Sequence, residues 1–130
     1  MTHTETFIPK GMSIQAANAL IDQVIEYHES GGVFAAATVL PAGQCLVQHM
    51  HKHDHLSIVA KGRVLLDVDG VQSEHSAGEC ITVKAGCHHG VKALDDSVWY
   101  CLVADTEDTD HYINPNHKGV AEVYERLKGV

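Results

Sequence analysis

The order of apolar and polar residues divides the chain into a helical start, a long series of strands and a helical end. Between Ser13 and Ser30, apolar residues recur at helical spacing opposite a polar face, which predicts one amphipathic helix. Ser13 is a suitable N-cap for this helix, and Gly31–Gly32 is a strong signal for its end.

From Val33 onward the pattern changes to short strands separated by Gly and Pro turns. Asp69-Gly70 separates two alternating segments and is a typical two-residue hairpin turn. Short strands at such regular intervals favour a β-sandwich or a β-barrel. The predicted strands are Val33–Leu40, Gln44–His51, Leu56–Ala60, Arg63–Asp69, Val71–His75, Cys80–Lys84, His89–Leu94 and Val98–Val103.

The last part of the chain combines an acidic segment, Asp105–Asp110, with a short amphipathic pattern over Val120–Leu127. We interpret the first as a solvated loop and the second as a helix. The 130 residues suit a single core. The expected organisation is an N-terminal segment (1–32), a β-barrel (33–104), and an acidic loop with a C-terminal helix packing on the barrel (105–130).

Composition and charge narrow the classes of partner and compartment. Nine basic against seventeen acidic residues give a net charge of −8, which argues against nucleic acid as a partner. No apolar run is long enough for a transmembrane helix, and Met1–Lys10 does not have the pattern of a signal sequence. We therefore expect a cytoplasmic protein with no membrane partner. Its four cysteines, without C-x-x-C pairing, are expected to be reduced: Cys45, Cys80, Cys87 and Cys101.

Histidines supply the main chemical signal. His49, His51, His53 and His55 stand at alternate positions, and His88–His89 follow later in the chain. Alternate residues of an extended chain project to the same side, so a strand with His-x-His can direct two imidazoles at one point. Histidine is the commonest metal ligand, and all-imidazole coordination suits Fe, Zn, Cu or Ni, with Mn also compatible. The pattern predicts a transition-metal site inside a β structure.

The spacing of these histidines and of the flanking glycines resembles the two motifs of the cupin family. The first match is Gly43, five residues, His49-Met50-His51, three residues, His55, six residues and Gly62. The second match is Gly78, then Lys84-Ala85-Gly86, then His89. The resemblance covers about Val33 to Val103. Lys84 stands where the family has proline and Ala93 where it has asparagine.

The resemblance implies a mainly β fold, a single cupin barrel (a double-stranded β-helix or jelly roll), here with an added N-terminal helix and a short C-terminal helix. It also implies metal ligation by His49, His51, His55 and His89. His55 replaces the family's usual glutamate, so coordination by His55 would give four neutral imidazoles and leave the metal its full charge. Without His55, a face of three histidines with open positions remains. His53 is the alternative fourth ligand, and His88 is expected to point away from His89.

We therefore expect a metal-dependent enzyme acting on a small organic molecule, most favourably a mononuclear non-haem Fe(II) dioxygenase. Zn, Ni, Mn or Cu are the alternative metals. A non-redox isomerase or lyase and a non-catalytic ligand-binding cupin are the alternative functions, because this fold supports many chemistries. A homodimer is expected, with its contact through the Val33–Leu40 strand or the N-terminal helix.

Overall fold

A computed structural model describes residues 5–8, 25–48, 54–104 and 118–129. These residues form two antiparallel sheets of short strands and one helix, here called α1 (Lys118–Lys128). The strands of the described residues, in chain order, are β1 Glu5–Ile8, β2 Ile25–Ser30, β3 Val33–Leu40, β4 Cys45–Gln48, β5 His55–Lys61, β6 Arg63–Val68, β7 Val71–Ser76, β8 Cys80–Val83, β9 His89–Ala93 and β10 Ser97–Ala104.

The strands are shared equally between the two sheets. The first sheet has the order β1-β4-β9-β6-β7, and the second has the order β2-β3-β10-β5-β8. Inward-facing residues of both sheets form one apolar core, which includes Leu40, Leu46, Val64, Val91 and Trp99. The expected mainly β, jelly-roll architecture is therefore confirmed.

The predicted turn between β6 and β7 is confirmed in detail. Asp69 has a φ of 47° and Gly70 a φ of 90°. Positive φ at both central residues is the geometry of a type I′ turn, whose twist suits a hairpin. The turn pairs Val68 with Val71 and so sets the register of the two strands.

The N-terminal helix predicted over Ser13–Ser30 is wrong for its last six residues, which form the strand β2. Gly31 and Gly32 have φ values of 58° and 80°, so they form a two-residue hairpin turn to β3, not a helix end. Within β2, Ile25 is buried and Tyr27 partly buried while Glu26 and His28 are exposed, which is the alternation of a strand. The remainder of the predicted helix, residues 13–24, lies outside the described residues.

The C-terminal helix predicted over Val120–Leu127 is confirmed as α1. Its buried residues Val123 and Leu127 pack with Cys45 and Val47, on the outer face of the first sheet. No helix in the described ranges is long and apolar enough to span a bilayer. Both sheets also draw on strands that precede Val33, since β1 lies at the edge of one and β2 at the edge of the other.

Candidate metal centre

His55 is the first residue of β5, in the second sheet, and its side chain faces the interior. It pairs with the buried Val83 of β8 and is itself 4% exposed. Burial lowers the pKa of His55, while a hydrogen bond with the Leu56 backbone and the nearby Asp54 carboxylate act in the opposite direction. The lowered pKa keeps the imidazole neutral at neutral pH, which is the form that binds a metal.

His89 is the first residue of β9, in the first sheet. It lies between Gln48 of β4 and Val68 of β6 in the register, and it is 1% exposed. Strand alternation turns its neighbour Gly90 toward α1 and places Val91 in the core. His89 therefore faces the interior on the same side as Val91.

The two imidazoles meet across the interior although they belong to different sheets. Their ring centroids are 4.9 Å apart, and the ring planes are inclined by 40°. A metal–nitrogen bond of about 2.1 Å, with the ring centre about 1 Å further on, puts the centres of two imidazoles on one ion about 5 Å apart. The observed separation therefore fits a pair that can share one metal ion.

The structure describes two of the four predicted ligands. It brings together His55 and His89, whereas His49, His51 and His53 lie outside the described residues. Within the described ranges, no group of three or more His, Cys, Asp and Glu side chains is arranged to hold a metal. His55 and His89 are thus the two predicted ligands whose relative position the structure gives.

His88 lies beside His89 but has different surroundings. Its backbone N–H donates to Asp69 Oδ1 at 2.9 Å, and its ring Nδ1 is 3.9 Å from the same oxygen. The Asp69 N–H in turn donates to the His88 carbonyl at 2.9 Å. His88 is therefore part of a contact that fixes the start of β9 against the β6–β7 turn.

The loop that leads to β9 has a second anchor, which the sequence patterns did not indicate. Asp54, directly before His55, accepts a hydrogen bond from the Ala85 N–H at 2.7 Å and lies 3.2 Å from Lys84 Nζ. These bonds lower the pKa of Asp54, the Ala85 bond most strongly. Asp54, the residue before His55, thereby holds the loop that leads to His89. Only its position next to His55 could have drawn attention to it, since its partners are distant in sequence.

The Cys45 thiol does not compete for this role. None of the four cysteines forms a disulfide, and Cys45 and Cys101 are buried. Burial raises the pKa of the Cys45 thiol to about 11, with Lys92 acting in the opposite direction. Cys45 packs against α1, outside the interior that holds the two histidines. A thiol kept protonated in this way is a poor metal ligand.

A groove of about 330 Å³ adjoins the centre at the ends of four strands of the second sheet. Its described walls are mainly hydrocarbon, and they include His55 itself. The residues that line it are Val33, Asp54, His55, Leu56, Thr82, Leu102 and Val103.

Several solved structures share this fold at low sequence identity. An uncharacterised protein with a double-stranded β-helix domain from Klebsiella pneumoniae superposes with a TM-score of 0.58 at 18% identity, over 70% of this chain and 84% of that one. An RmlC-like cupin from Desulfovibrio desulfuricans gives 0.53 at 23% identity, over 65% and 85%. The EutQ protein of Clostridium difficile gives 0.53 at 12% identity, over 65% and 63%. At these identities the similarity shows the fold.

No curated protein sequence matches the chain significantly. The family model described as "Cupin domain" matches residues 37–104, which include the second half of β3, all of the strands from β4 to β10, and both His55 and His89. More than half of the chain is therefore covered by one family model, and the fold agrees with it. The chain belongs to the cupin family.

Proposed function

We propose that this cupin is a metal-dependent enzyme that acts on a small organic molecule, with a mononuclear non-haem Fe(II) dioxygenase as the favoured chemistry. The observation that supports it is the approach of His55 and His89, two buried imidazoles from different sheets with ring centroids 4.9 Å apart. Imidazole ligation with open positions is compatible with iron, and with Zn, Ni, Mn or Cu as alternatives.

In this proposal His49, His51, His55 and His89 hold the metal, with His53 as the alternative to His55 for the fourth ligand. When bound, the metal supplies Lewis acidity and a template for substrate and oxygen. The protein contributes neutral ligands in an apolar interior. Asp54, directly before His55, fixes the loop that leads to His89 through its bond to Ala85. Because Cys45 and Val47 face α1, the proposal requires the alternation of the strand to shift by one residue before His49, as in a β-bulge.

Metal analysis of two variants tests the site. The protein purified without added metal, and again after anaerobic loading with Fe(II), is expected to contain one metal per chain. His89→Ala should lose at least nine-tenths of it, because it removes one of the two buried imidazoles that approach each other from the two sheets. His28→Ala is the control, since His28 is an exposed strand residue that lies beside Glu26. Equal metal content in wild type and His89→Ala would rule out the site.

Oxygen consumption then tests the chemistry. The Fe(II)-loaded protein is offered diketones, thiols, phenols and organic acids in an oxygen electrode, with His89→Ala as the blank. Substrate-dependent oxygen uptake by the wild type supports the dioxygenase. Substrate turnover with zinc and without oxygen uptake would replace it by the isomerase or lyase, and binding without turnover by a ligand-binding cupin.

We also propose that the protein is a cytoplasmic homodimer. Its four cysteines form no disulfide, which suits a reducing compartment. Val39 is 59% exposed on the outer face of the second sheet and lies at the end of β3 away from Val33, which makes it a candidate contact between two copies. Sedimentation of the wild type beside Val39→Asp tests the assembly, and a wild type that sediments as a monomer would contradict it.

A further inference from the structure

The groove beside His55 is lined by residues from both faces of the second sheet. Cross-strand partners share a face, and Leu56 pairs with both Leu102 and Thr82. Leu56 is 43% exposed, so this trio lies on the outer face. His55 pairs with the buried Val83 and faces inward. The groove is lined by both sets and lies around the first residues of β5, next to His55.

The walls of the groove favour the binding of hydrocarbon groups. Val33, Leu56, Leu102 and Val103 contribute apolar side chains, and Thr82 adds one hydroxyl. Asp54, the single charged residue among the described walls, is already bonded to the Ala85 N–H and lies beside Lys84 Nζ. The outer part of the groove is therefore suited to an apolar group. At about 330 Å³ it is at the small end of ligand pockets.

The end of the groove at His55 would favour a charged group once a metal is bound. Neutral imidazoles leave a divalent cation its full charge, which attracts an anionic oxygen. We propose that the substrate is a small amphiphilic carboxylate, whose hydrocarbon part lies in the groove against Leu56 and Leu102 while its carboxylate reaches the metal at His55 and His89. This inference rests on the proposed metal centre for its polar half, whereas its apolar half rests on the groove alone.

The apolar half is tested without metal. Metal-free protein is titrated with 1-butanol, 1-hexanol and 1-octanol, and binding is followed by backbone amide NMR shifts. We expect shifts centred on Leu56, Leu102 and Val103, with the dissociation constant falling about threefold to fourfold for each added CH₂. Leu56→Ser should weaken octanol binding at least fivefold. Val71→Ser is the matched control, because Val71 is a 73% exposed strand valine of the other sheet.

The polar half is tested with zinc-loaded protein, since zinc is diamagnetic and does not undergo redox chemistry. Octanoate should bind at least tenfold more tightly than octanol to the zinc-loaded wild type. That advantage should disappear in metal-free protein and in His89→Ala, whereas octanol binding is unchanged in both. Leu102→Ala is the second groove variant, and it should weaken both ligands about equally.

The outcomes separate the inference from the proposed function. If zinc binds but neither alcohol nor carboxylate shifts the groove residues, the inference is overturned and the metal centre stands. Octanol binding without zinc binding overturns the metal centre and, with it, the carboxylate half of the inference. Alcohols that bind elsewhere, or a Leu56→Ser variant that only dissociates a dimer, would show that the groove is not a substrate site.

Discussion

Gly90 lies where α1 comes nearest to the first sheet. A Cβ at this position would be 2.8 Å from Val123 Cγ1 and 3.0 Å from both Leu127 Cδ1 and the Leu46 carbonyl oxygen. Two of these contacts are with the helix and one with the backbone of β4, so neither side can yield without moving the other. The absence of a side chain at Gly90 is therefore a condition for α1 to pack on β9.

We expect Gly90→Ala to lower the free energy of unfolding by about 1–3 kcal/mol, the usual cost of forcing an extra methyl into a close-packed site. Because Gly90 follows His89 directly, the same variant should also weaken metal binding. Urea denaturation measures the first effect and metal titration the second. Gly129→Ala is the control, since a Cβ there would meet nothing within 4 Å. If Gly90→Ala matched it in both measurements, the close approach of α1 would be wrong.

At the scale of elements, α1 is held to the first sheet by a buried ion pair as well as by apolar contacts. Asp67 of β6 is fully buried and accepts two hydrogen bonds from Arg126, each 2.9 Å long. Gln72 Nε2 and the Gly70 N–H also donate to its carboxylate, both at 3.1 Å. Burial raises the pKa of Asp67, but these hydrogen bonds and the positive charge of Arg126 outweigh it, so the pKa is lowered.

We predict that Arg126→Ala destabilises the protein by about 2 kcal/mol at neutral pH. Removing one partner of a buried pair leaves a buried charge, and the partial exposure of Arg126 keeps the cost below that of a fully buried pair. Since the folded pKa of Asp67 lies below its unfolded value of about 4, the pair contributes fully above pH 4 and less as the pH falls further.

Denaturation curves between pH 3 and pH 7 measure this contribution. The difference between wild type and Arg126→Ala should shrink as the medium becomes more acidic. Lys128→Ala serves as the control, because its bond to Glu125 is exposed and is screened by solvent. A difference that stayed constant down to pH 3 would show that Asp67 does not titrate with the pair.

The elements themselves were predictable to different degrees. From β3 to β10 the alternation of apolar residues and the turn residues predict the strands closely, because each strand has one face on a shared core. The pattern fails at β2, where six residues fit a helix as well as they fit a strand. β2 is a strand because it pairs with β3 across the Gly31–Gly32 turn, and no local sequence pattern shows that pairing. Similarly, neither Asp67 nor Arg126 carries a sequence signal that identifies the other.

At the scale of the whole molecule, the histidine motifs predict that His55 and His89 lie close together, and the fold explains how. His55 and His89 were both predicted as ligands, and the structure brings their rings together from different sheets. The loop anchors Asp54 and Asp69 could not be predicted, since an aspartate before a strand or in a turn is common. The face on which β4 presents its residues also could not be predicted. Cys45 packs under α1, on the outer face of the first sheet.

A metal held by His55 and His89 would join the two sheets, because β5 belongs to one and β9 to the other. A ligand that binds only the folded protein stabilises it by about 2.7 kcal/mol when present at a hundred times its dissociation constant. We therefore expect zinc, added at that excess at pH 7.5, to raise the free energy of unfolding by roughly this amount. His89→Ala should show no increase, while His28→Ala should behave as wild type. Protons compete for each imidazole, whose ordinary pKa is about 6.5, so the zinc-dependent increase should decline with acidity and vanish near pH 4. A zinc effect of equal size in His89→Ala, or one unchanged at pH 4, would mean that the ion binds elsewhere and that the sheets are held together by their apolar core alone.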